Sequence, residues 1–406
     1  MSREYTKVSV TEKAERALKG GHPWVFADEV TAVSGEYENG DIVDVYSKKA
    51  RYLGSGYIND NSKIRVRVIS KNPNDRFDEL FYERRVRYAI EYRLTVMSGD
   101  FDNCRLIFGE ADLFPGLTVD RFGNVLVMQV MSLGCERIKP TIVKALLKVL
   151  GEYGVRIDAV YERNDVALRE LEGMKMYTDY YYRAEGFDDG GKLIMCENGV
   201  KYEVDYINGQ KTGFFLDQKY NRQAVARLAR GKRVLDCFTH TGSFALNAAL
   251  AGAQHVCAVD ISEDALALAK HNAALNGLED RMDFVCADVF DHLTELYNGK
   301  ARDFDMIILD PPAFTKSSST VASAERGYKE INMKAMKLLP RGGYLATCSC
   351  SHFMKEGMFC RMLHDAAQDA AVTLRQIEAR KQSPDHPILW NVPETEYLKF
   401  YIFQVV

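Results

Sequence analysis

The stretch Arg233-Val-Leu-Asp-Cys-Phe-Thr-His-Thr-Gly242 decides the fold of this 406-residue chain. A short apolar strand ends in Asp236, and the helix-forming segment Ser243-Phe-Ala-Leu-Asn-Ala-Ala-Leu250 follows the turn. Gly242 permits a tight approach of the backbone, as glycines do in nucleotide-binding turns. The stretch has neither Gly-x-Gly-x-x-Gly nor a Walker lysine motif, so it does not favour a pyrophosphate ligand.

Four further strand-like segments follow, each apolar and each ending in polar residues. From Tyr220 onward, helices and strands alternate at the βαβ interval, which predicts an α/β fold with a Rossmann-like, mostly parallel sheet. The carboxyl ends of such strands line one edge of the sheet, where ligands bind. The segments are Val256-Cys-Ala-Val-Asp260, Phe284-Val-Cys-Ala-Asp288, Met306-Ile-Ile-Leu-Asp310-Pro-Pro312 and Leu345-Ala-Thr-Cys-Ser-Cys-Ser351.

Four strand-end acids, Asp236, Asp260, Asp288 and Asp310, form the predicted pocket. A carboxylate at Asp260 can accept both ribose hydroxyls, and one at Asp288 can accept an adenine amino hydrogen. Each acid taken alone is better explained by capping of the following helix. Because the four recur in consecutive βα units, the sequence favours a pocket for an adenosyl cofactor.

The last segment places a thiol next to this pocket. Two prolines after Asp310 freeze the backbone and hold its carboxylate at the sheet edge, and Cys350 follows the next strand between two serines. A thiolate that attacks C6 of a pyrimidine makes C5 able to accept a methyl group, while a protonated carboxyl group near N3 donates a proton. The pattern predicts C5 methylation with Cys350 as nucleophile. Cys348 is the competitor, on the same strand face, and a buried thiol without chemistry is the alternative for either.

The charge balance limits the choice of partners. The net charge of −4 argues mildly against nucleic acid, but binding depends on local patches. Between Lys211 and Arg233, seven cations accompany one acid, Asp217. We predict that this run lines an RNA approach, with contacts from Lys211 and Arg222, and that Phe314 stacks on a base or packs in the core. A second cationic group contains Arg84, Arg85, Arg87 and Arg93.

Cysteine usage and hydropathy indicate a cytoplasmic location. Nine cysteines are scattered along the chain without zinc-ligand spacing, so we expect reduced thiols and no metal. No uncharged apolar stretch approaches 18 residues, and the first residues lack the apolar region of a secretory signal.

The length exceeds what one hydrophobic core supports, which predicts several domains. Residues 1–72 are β-rich, residues 73–188 alternate helices and strands in an α+β pattern, and residues 189–406 contain the Rossmann-like part. Gly190–Tyr206 reads as a β-hairpin. The function of the central part, 73–188, is left open.

Several longer motifs occur together in one known family. They are His22-Pro-Trp-Val-Phe26, Arg105-Leu-Ile-Phe-Gly-Glu-Ala-Asp112, Pro115-Gly-Leu-Thr-Val-Asp-Arg121, Gly209-Gln-Lys-Thr-Gly-Phe-Phe-Leu-Asp-Gln-Lys-Tyr-Asn-Arg222, Thr347-Cys-Ser-Cys-Ser351 and Pro393-Glu-Thr-Glu-Tyr-Leu398. Through them the chain resembles, over nearly its whole length, the YccW-type RNA cytosine-C5 methyltransferases that modify large-subunit ribosomal RNA.

The resemblance implies a PUA domain, an RNA-binding module, at the N-terminus and catalytic roles for Asp310 and Cys350. It implies ribosomal RNA as partner and S-adenosyl-L-methionine as cofactor. Cys348 departs from the family, which usually has an aromatic or aliphatic residue there. The implied cofactor contacts are Phe238, Thr239, Gly242, Asp260 and Asp288.

Other functions stay open at this point. A sister enzyme could methylate guanine N7 or an exocyclic amine without a thiol, and Ala313 separates Asp-Pro-Pro from the aromatic that amino-methyltransferases often place there. A degenerate RNA-binding assembly factor is a different class, which the intact set of acids and Cys350 disfavours. A small-molecule methyltransferase would leave two N-terminal domains idle. The modified nucleotide, naked RNA or ribosomal particle as substrate, and a homodimer are undecided.

Overall fold

The computed structural model describes residues 5–300, 303–315 and 317–406, and the chain divides into two compact units. The first contains Met1–Leu193, Val204–Leu216 and Pro384–Thr395; the second contains Ile194–Glu203, Asp217–Ser383 and Glu396–Val406. Both units are discontinuous in sequence. The three continuous domains suggested by the sequence (1–72, 73–188 and 189–406) are a different division, and their boundaries stay a prediction.

The N-terminal part of the first unit is a mixed six-stranded sheet with the order β2-β6-β5-β4-β1-β3. Helix α1 (Glu12–Lys19) begins after Thr11, whose side chain accepts a hydrogen bond from the amide of Ala14 and so caps the helix. Buried valines, isoleucines and leucines form the hydrophobic core between this helix and the sheet. The strands are β1 (Thr6–Val10), β2 (Trp24–Phe26), β3 (Val30–Ser34), β4 (Ile42–Ser47), β5 (Tyr52–Ile58) and β6 (Ile64–Ser70).

A five-stranded sheet with the order β11-β10-β9-β8-β7 forms the rest of this unit, and α2 packs on α3. The hairpin predicted at Gly190–Tyr206 is present as β12 and β13, and most of it, Ile194–Glu203, belongs to the second unit. The helices are α2 (Glu79–Val96), α3 (Leu133–Glu152) and α4 (Leu168–Leu171). The strands are β7 (Asn103–Phe108), β8 (Leu117–Phe122), β9 (Val125–Val130), β10 (Ala159–Asn164), β11 (Tyr177–Arg183), β12 (Lys192–Glu197) and β13 (Val200–Asp205).

Three arginines of the cationic group around residue 85 make ion pairs and hydrogen bonds within the first unit. Arg93 is fully buried and pairs with Asp112 at 2.5 Å, and Arg87 pairs with Glu152 at 2.6 Å. Arg85 donates to the backbone carbonyl of Leu113 at 3.0 Å. These arginines therefore stabilise the α+β part and do not form a basic surface patch.

The second unit contains a seven-stranded sheet with the order β16-β15-β14-β17-β18-β20-β19. Only β20 runs antiparallel to its neighbours on both sides. Strand β14 pairs in parallel with both β15 and β17, so the strand order reverses there, and such a switch point opens a crevice for a ligand. The strands are β14 (Arg233–Cys237), β15 (His255–Asp260), β16 (Met282–Cys286), β17 (Met306–Leu309), β18 (Tyr344–Ser349), β19 (Leu374–Arg380) and β20 (Lys399–Val405).

Helices cover this sheet, and their apolar faces form the core with the strands. Strands β14, β17 and β18 are buried along almost their whole length, as expected for the middle of a parallel sheet. Within the described ranges, no helix is long and apolar enough to cross a membrane. The helices are α5 (Lys219–Ala229), α6 (Ser243–Leu250), α7 (Glu263–Leu275), α8 (Val289–Asn298), α9 (Val321–Leu338) and α10 (Glu356–Ala370).

Candidate active site

The turn between β14 and α6 has an unusual backbone. Phe238 and His240 adopt left-handed conformations, with φ of 62° and 51°, which cost non-glycine residues about 1–3 kcal/mol each. The amide of His240 donates to Asp260 Oδ2 at 2.8 Å and helps to hold the turn. Gly242 has a φ of 82°, and a Cβ there would lie 3.1 Å from the Cβ of Ala269. The turn is therefore fixed by specific contacts and requires glycine at 242.

Asp236 lies buried at the end of β14. Its Oδ2 accepts hydrogen bonds from Thr239 Oγ1 at 2.6 Å and from the amide of Ala245 at 3.0 Å. Its Oδ1 is buried and accepts none from the residues that the structure describes. Burial, together with smaller contributions from the charges of Asp310 and Asp260, raises the pKa of Asp236 to about 7. This edge of the sheet thus fits a ligand that brings a positive charge and a hydrogen-bond donor.

Asp260 and Asp288 both have local structural roles. Besides His240, Asp260 accepts the amide of Ser262 at 3.0 Å. Asp288 is the N-cap of α8 and accepts the amide of Phe290 at 2.7 Å. The capping alternative is therefore correct for Asp288. Asp260 is the last residue of β15, and Asp288 lies two residues after the end of the adjacent strand β16. Their contacts to a ribose and an adenine stay predictions.

Asp310 belongs to a hydrogen-bonded group that the sequence did not reveal. Cys348 Sγ donates to Asp310 Oδ1 at 2.8 Å, and Gln218 Nε2 donates to the same oxygen at 3.1 Å. Asn221 Nδ2 in turn donates to Gln218 Oε1 at 2.6 Å and orients the Gln218 amide. Burial raises the pKa of Asp310, while the hydrogen bond from Cys348 lowers it. The carboxyl is thus held rigidly and keeps its proton to higher pH than an ordinary aspartate.

The two cysteines differ in environment. Cys348 lies in β18 and is fully buried, and burial raises the pKa of its thiol well above the usual range, with the charge of Asp310 adding to the effect. Cys350 lies just beyond the strand and is half-buried. Because the thiolate is the reactive form, the geometry favours Cys350 over Cys348 as nucleophile.

Three contacts anchor the segment that carries Cys350. Ser349 Oγ and Tyr328 OH lie 3.1 Å apart, and Ser351 Oγ donates to the carbonyl of Thr315 at 2.9 Å. Lys399 Nζ donates to the carbonyl of Ser351 at 2.7 Å. The flanking serines therefore fix the position of the thiol.

Phe314 packs among aromatic rings. Its ring centroid lies 4.6 Å from that of Tyr328, 5.7 Å from that of Phe290 and 6.2 Å from that of Phe238. It also contacts the hydrophobic core. These contacts support the core role, but the ring is only half-buried, so stacking on a base stays a prediction.

The prediction that Arg222 contacts RNA is wrong. Its side chain is buried in α5 and donates to Glu197 Oε1 at 2.6 Å. Lys219 is buried as well. Lys211 is exposed, with Nζ 4.5 Å from the ring centroid of Phe215. The run between 211 and 233 is thus not one basic surface, and only Lys211 of the two predicted contacts is accessible.

Replacement of Arg222 by methionine is expected to destabilise the protein by about 3–5 kcal/mol, because it leaves the Glu197 carboxylate buried without its partner. Arg227→Met is the matched control on the same helix. Its pair with Glu378 at 2.6 Å is exposed, so we expect less than about 1 kcal/mol. Urea denaturation measures both. Wild-type stability of Arg222→Met combined with loss of RNA binding would contradict the structural role.

Two parts of the chain match models of known protein families. Residues 8–71 match the model of a PUA-like domain, and residues 188–403 match that of an S-adenosylmethionine-dependent methyltransferase. Curated relatives named ribosomal RNA large subunit methyltransferase I cover nearly the whole chain. The protein from Pseudoalteromonas translucida is 40% identical over 96% of this chain and 97% of its own length. The one from Cronobacter sakazakii is 40% identical, with 97% coverage of each.

Two solved structures share the fold over 98% of this chain and 100% of their own. One is a protein from Streptococcus mutans assigned as a SAM-dependent methyltransferase, with a TM-score of 0.81. The other is SMU.776, assigned as a methyltransferase and solved with S-adenosylhomocysteine, with a TM-score of 0.83. At 22% identity, both matches speak for the fold alone.

Proposed function

Because the chain belongs to the family of ribosomal RNA large subunit methyltransferase I, we propose that it methylates C5 of a cytosine in large-subunit ribosomal RNA through a covalent adduct with Cys350. The family matches confirm the predicted PUA-like domain, the methyltransferase fold and the S-adenosylmethionine dependence. The observation that carries the proposal is the anchored, half-buried Cys350, two residues beyond the thiol that contacts Asp310.

The residues at the sheet edge fit the cofactor. S-adenosylmethionine carries an ammonium and a sulfonium group, and the unsatisfied Oδ1 of Asp236 is a buried acceptor for such a cation. Gly242, with a φ of 82°, allows the tight turn before α6 at this edge. Asp260 and Asp288 would contact the ribose and the adenine, next to Phe238 and Thr239. When bound, the cofactor supplies an electrophilic methyl group.

The chain's own residues would make the cytosine reactive. The Cys350 thiolate forms a bond from Sγ to C6, the ring electrons move toward N3 and C5, and the Asp310 carboxyl gives its proton to N3. C5 is then nucleophilic. After methylation, a water molecule takes the hydrogen at C5 as a proton, the C5–H electrons form the C5–C6 double bond, and the Sγ–C6 bond breaks with its electrons returning to sulfur. N3 then returns its proton to the Asp310 carboxylate. Cys350 and Asp310 are thereby regenerated.

RNA is the proposed partner on two grounds. The curated relatives are named for ribosomal RNA, and the N-terminal match is to a PUA-like domain, a type of module that binds RNA. Lys211 is an accessible cation for this contact, whereas Arg222 is not. A ribosomal RNA substrate would also place the protein in the cytoplasm. A homodimer stays a prediction.

Transfer of labelled methyl from S-adenosylmethionine to unmodified ribosomal RNA, followed by nucleoside analysis, tests the proposal. We expect 5-methylcytidine. Formation of 7-methylguanosine or an N-methylated base would overturn the cytosine-C5 assignment and favour the sister activity. Absence of transfer to naked RNA and to ribosomal particles, together with no heat of cofactor binding in calorimetry, would favour a degenerate assembly factor.

Asp236→Asn is expected to weaken cofactor binding and yet stabilise the empty protein at pH 8. Loss of a charge-assisted hydrogen bond costs about 1.5–3 kcal/mol, or about 10- to 150-fold in Kd. The pKa of Asp236 in the folded protein, about 7, lies above the usual value for an aspartate. The folded state is therefore destabilised relative to the unfolded state as pH rises through this pKa and the buried carboxyl ionises. The amide of the Asp236→Asn variant does not ionise, so the variant avoids this destabilisation.

Calorimetry with S-adenosylhomocysteine and thermal unfolding at pH 5 and pH 8 measure the two effects. The gain in Tm should be larger at pH 8 than at pH 5. The exposed Asp280 offers a control, Asp280→Asn, which should change neither Kd nor the pH dependence. Unchanged affinity in Asp236→Asn would remove Asp236 from the cofactor site.

A further inference from the structure

Lys399 is a buried lysine next to the candidate nucleophile. It is the first residue of β20 and pairs in register with Ser349 of the antiparallel β18. Only 4% of its surface is exposed. Lysines are almost never buried to this extent unless the ammonium has partners, so the position calls for a specific reason.

The contacts of Lys399 direct its amino group to the Cys350 segment. Nζ donates to the carbonyl of Ser351 at 2.7 Å and to that of Tyr397 at 2.7 Å. An ammonium has three hydrogens to donate, so one remains after these two bonds. Within the described residues, no carboxylate lies at ion-pair distance from Nζ. The charge is thus held by two neutral carbonyls and lacks an anion.

The electrostatics around Lys399 supply that anion. Burial lowers the pKa of Lys399 to about 8, and the strongest opposing influence is the charge of the Cys350 thiolate, followed by that of Cys348. The interaction energy between two charged groups is the same for both. A thiolate that stabilises the Lys399 ammonium is therefore itself stabilised by that ammonium. Among the other charged or titratable groups, Lys355 and Glu396 act on Lys399, while Tyr328 and Cys348 are influenced by the charge of Cys350.

We propose that Lys399 is a positioning residue that anchors the Cys350 segment and stabilises the thiolate form of Cys350. The inference rests on the proposed function, in which Cys350 attacks C6. The proton that leaves the thiol can be taken up by the Lys399 amine, so a neutral thiol–amine pair and a charged thiolate–ammonium pair contain the same number of protons. Attack on C6 uses the thiolate, and breakage of the Sγ–C6 bond restores it.

The rate of alkylation of Cys350 by iodoacetamide as a function of pH tests the inference, because only the thiolate reacts. Peptide mass spectrometry follows Cys350 separately from the exposed Cys196, which is an internal control. In Lys399→Met we expect alkylation of Cys350 to be about tenfold slower at pH 7.5, since a nearby opposite charge shifts such a group by about one pH unit or more. Lys399→Arg, which keeps the charge, should stay within about threefold of the wild type.

A second neutral variant separates charge from anchoring. Lys399→Gln can still donate to a carbonyl but carries no charge, and it should react as slowly as Lys399→Met. If Lys399→Met does not fold, the comparison of Lys399→Gln with Lys399→Arg decides. Thermal unfolding and S-adenosylhomocysteine affinity show whether each variant keeps its structure.

The inference and the proposed function fail in different ways. Equal pH profiles of Cys350 alkylation in wild type and folded Lys399→Gln would overturn the role of Lys399, whatever reaction the enzyme catalyses. Full methylation activity in Cys350→Ala would overturn the covalent mechanism, whatever the alkylation profiles are.

Discussion

Replacement of Cys350 by alanine is expected to lower the rate of methyl transfer by more than about 1,000-fold, equivalent to about 4 kcal/mol in the barrier. The reason is that C5 of cytosine is not nucleophilic until sulfur adds to C6. Cys348→Ala should lose less than about tenfold. The buried Cys348 thiol donates to Asp310 at 2.8 Å, so its removal disturbs the carboxyl and leaves the nucleophile in place.

Single-turnover transfer from labelled cofactor measures both variants. RNA that contains 5-fluorocytidine adds a direct readout, because fluorine cannot leave C5 as a proton and the protein should stay covalently attached. We expect the attached species in wild type and Cys348→Ala and none in Cys350→Ala. Cys360→Ala, at an exposed thiol of α10, is the control for loss of a cysteine as such. The reverse pattern, with attachment in wild type and Cys350→Ala and none in Cys348→Ala, would make Cys348 the nucleophile.

Much of the second unit could be predicted because its signals are local. Each buried parallel strand is a short apolar run followed by an acid or a thiol, and the helix after it has its own periodicity. The prediction of a Rossmann-like α/β fold is confirmed by the family match at 188–403. The antiparallel position of β20, next to β18, is set by long-range pairing and has no local signal.

Edge strands show where local patterns fail. Strand β11, Tyr177–Arg183, has no buried residue, so it lacks the alternation of apolar and polar residues that marks a half-buried strand. It exists because its backbone pairs with β10. Strand β3, at the edge of the N-terminal sheet, likewise has no buried position.

The parts of the site that the sequence missed depend on contacts between distant residues. Gln218 donates a hydrogen bond to Asp310, which lies 92 residues away in the sequence, and Lys399 donates one to Ser351, which lies 48 residues away. Neither side chain is distinguishable by type or spacing from an ordinary surface residue. Arg222 was misassigned for the same reason, since its partner Glu197 lies in the preceding hairpin. A cluster of cations in sequence cannot distinguish a buried ion pair from a basic surface.

Asp310→Asn is expected to lower kcat by about 100- to 10,000-fold at saturating cofactor, the range for loss of a general acid. The amide has nearly the shape of the carboxyl and can still accept the hydrogen bonds from Cys348 and Gln218. It is too weak an acid to give a proton to N3. Asp305→Asn is the matched control. Asp305 lies at the opposite end of β17, where its Oδ2 accepts the amide of Arg233 at 2.9 Å, and its replacement should change kcat by less than about twofold.

The pH dependence distinguishes this acid role from simple positioning. Burial raises the pKa of Asp310, so the neutral carboxyl persists at higher pH than usual and disappears as pH rises through that pKa. The wild type loses its proton donor over this range, whereas Asp310→Asn has none to lose. The ratio of wild-type to variant kcat should therefore be largest at low pH and fall as pH increases. A ratio that stays constant between pH 5.5 and pH 9 would mean that Asp310 only orients the base.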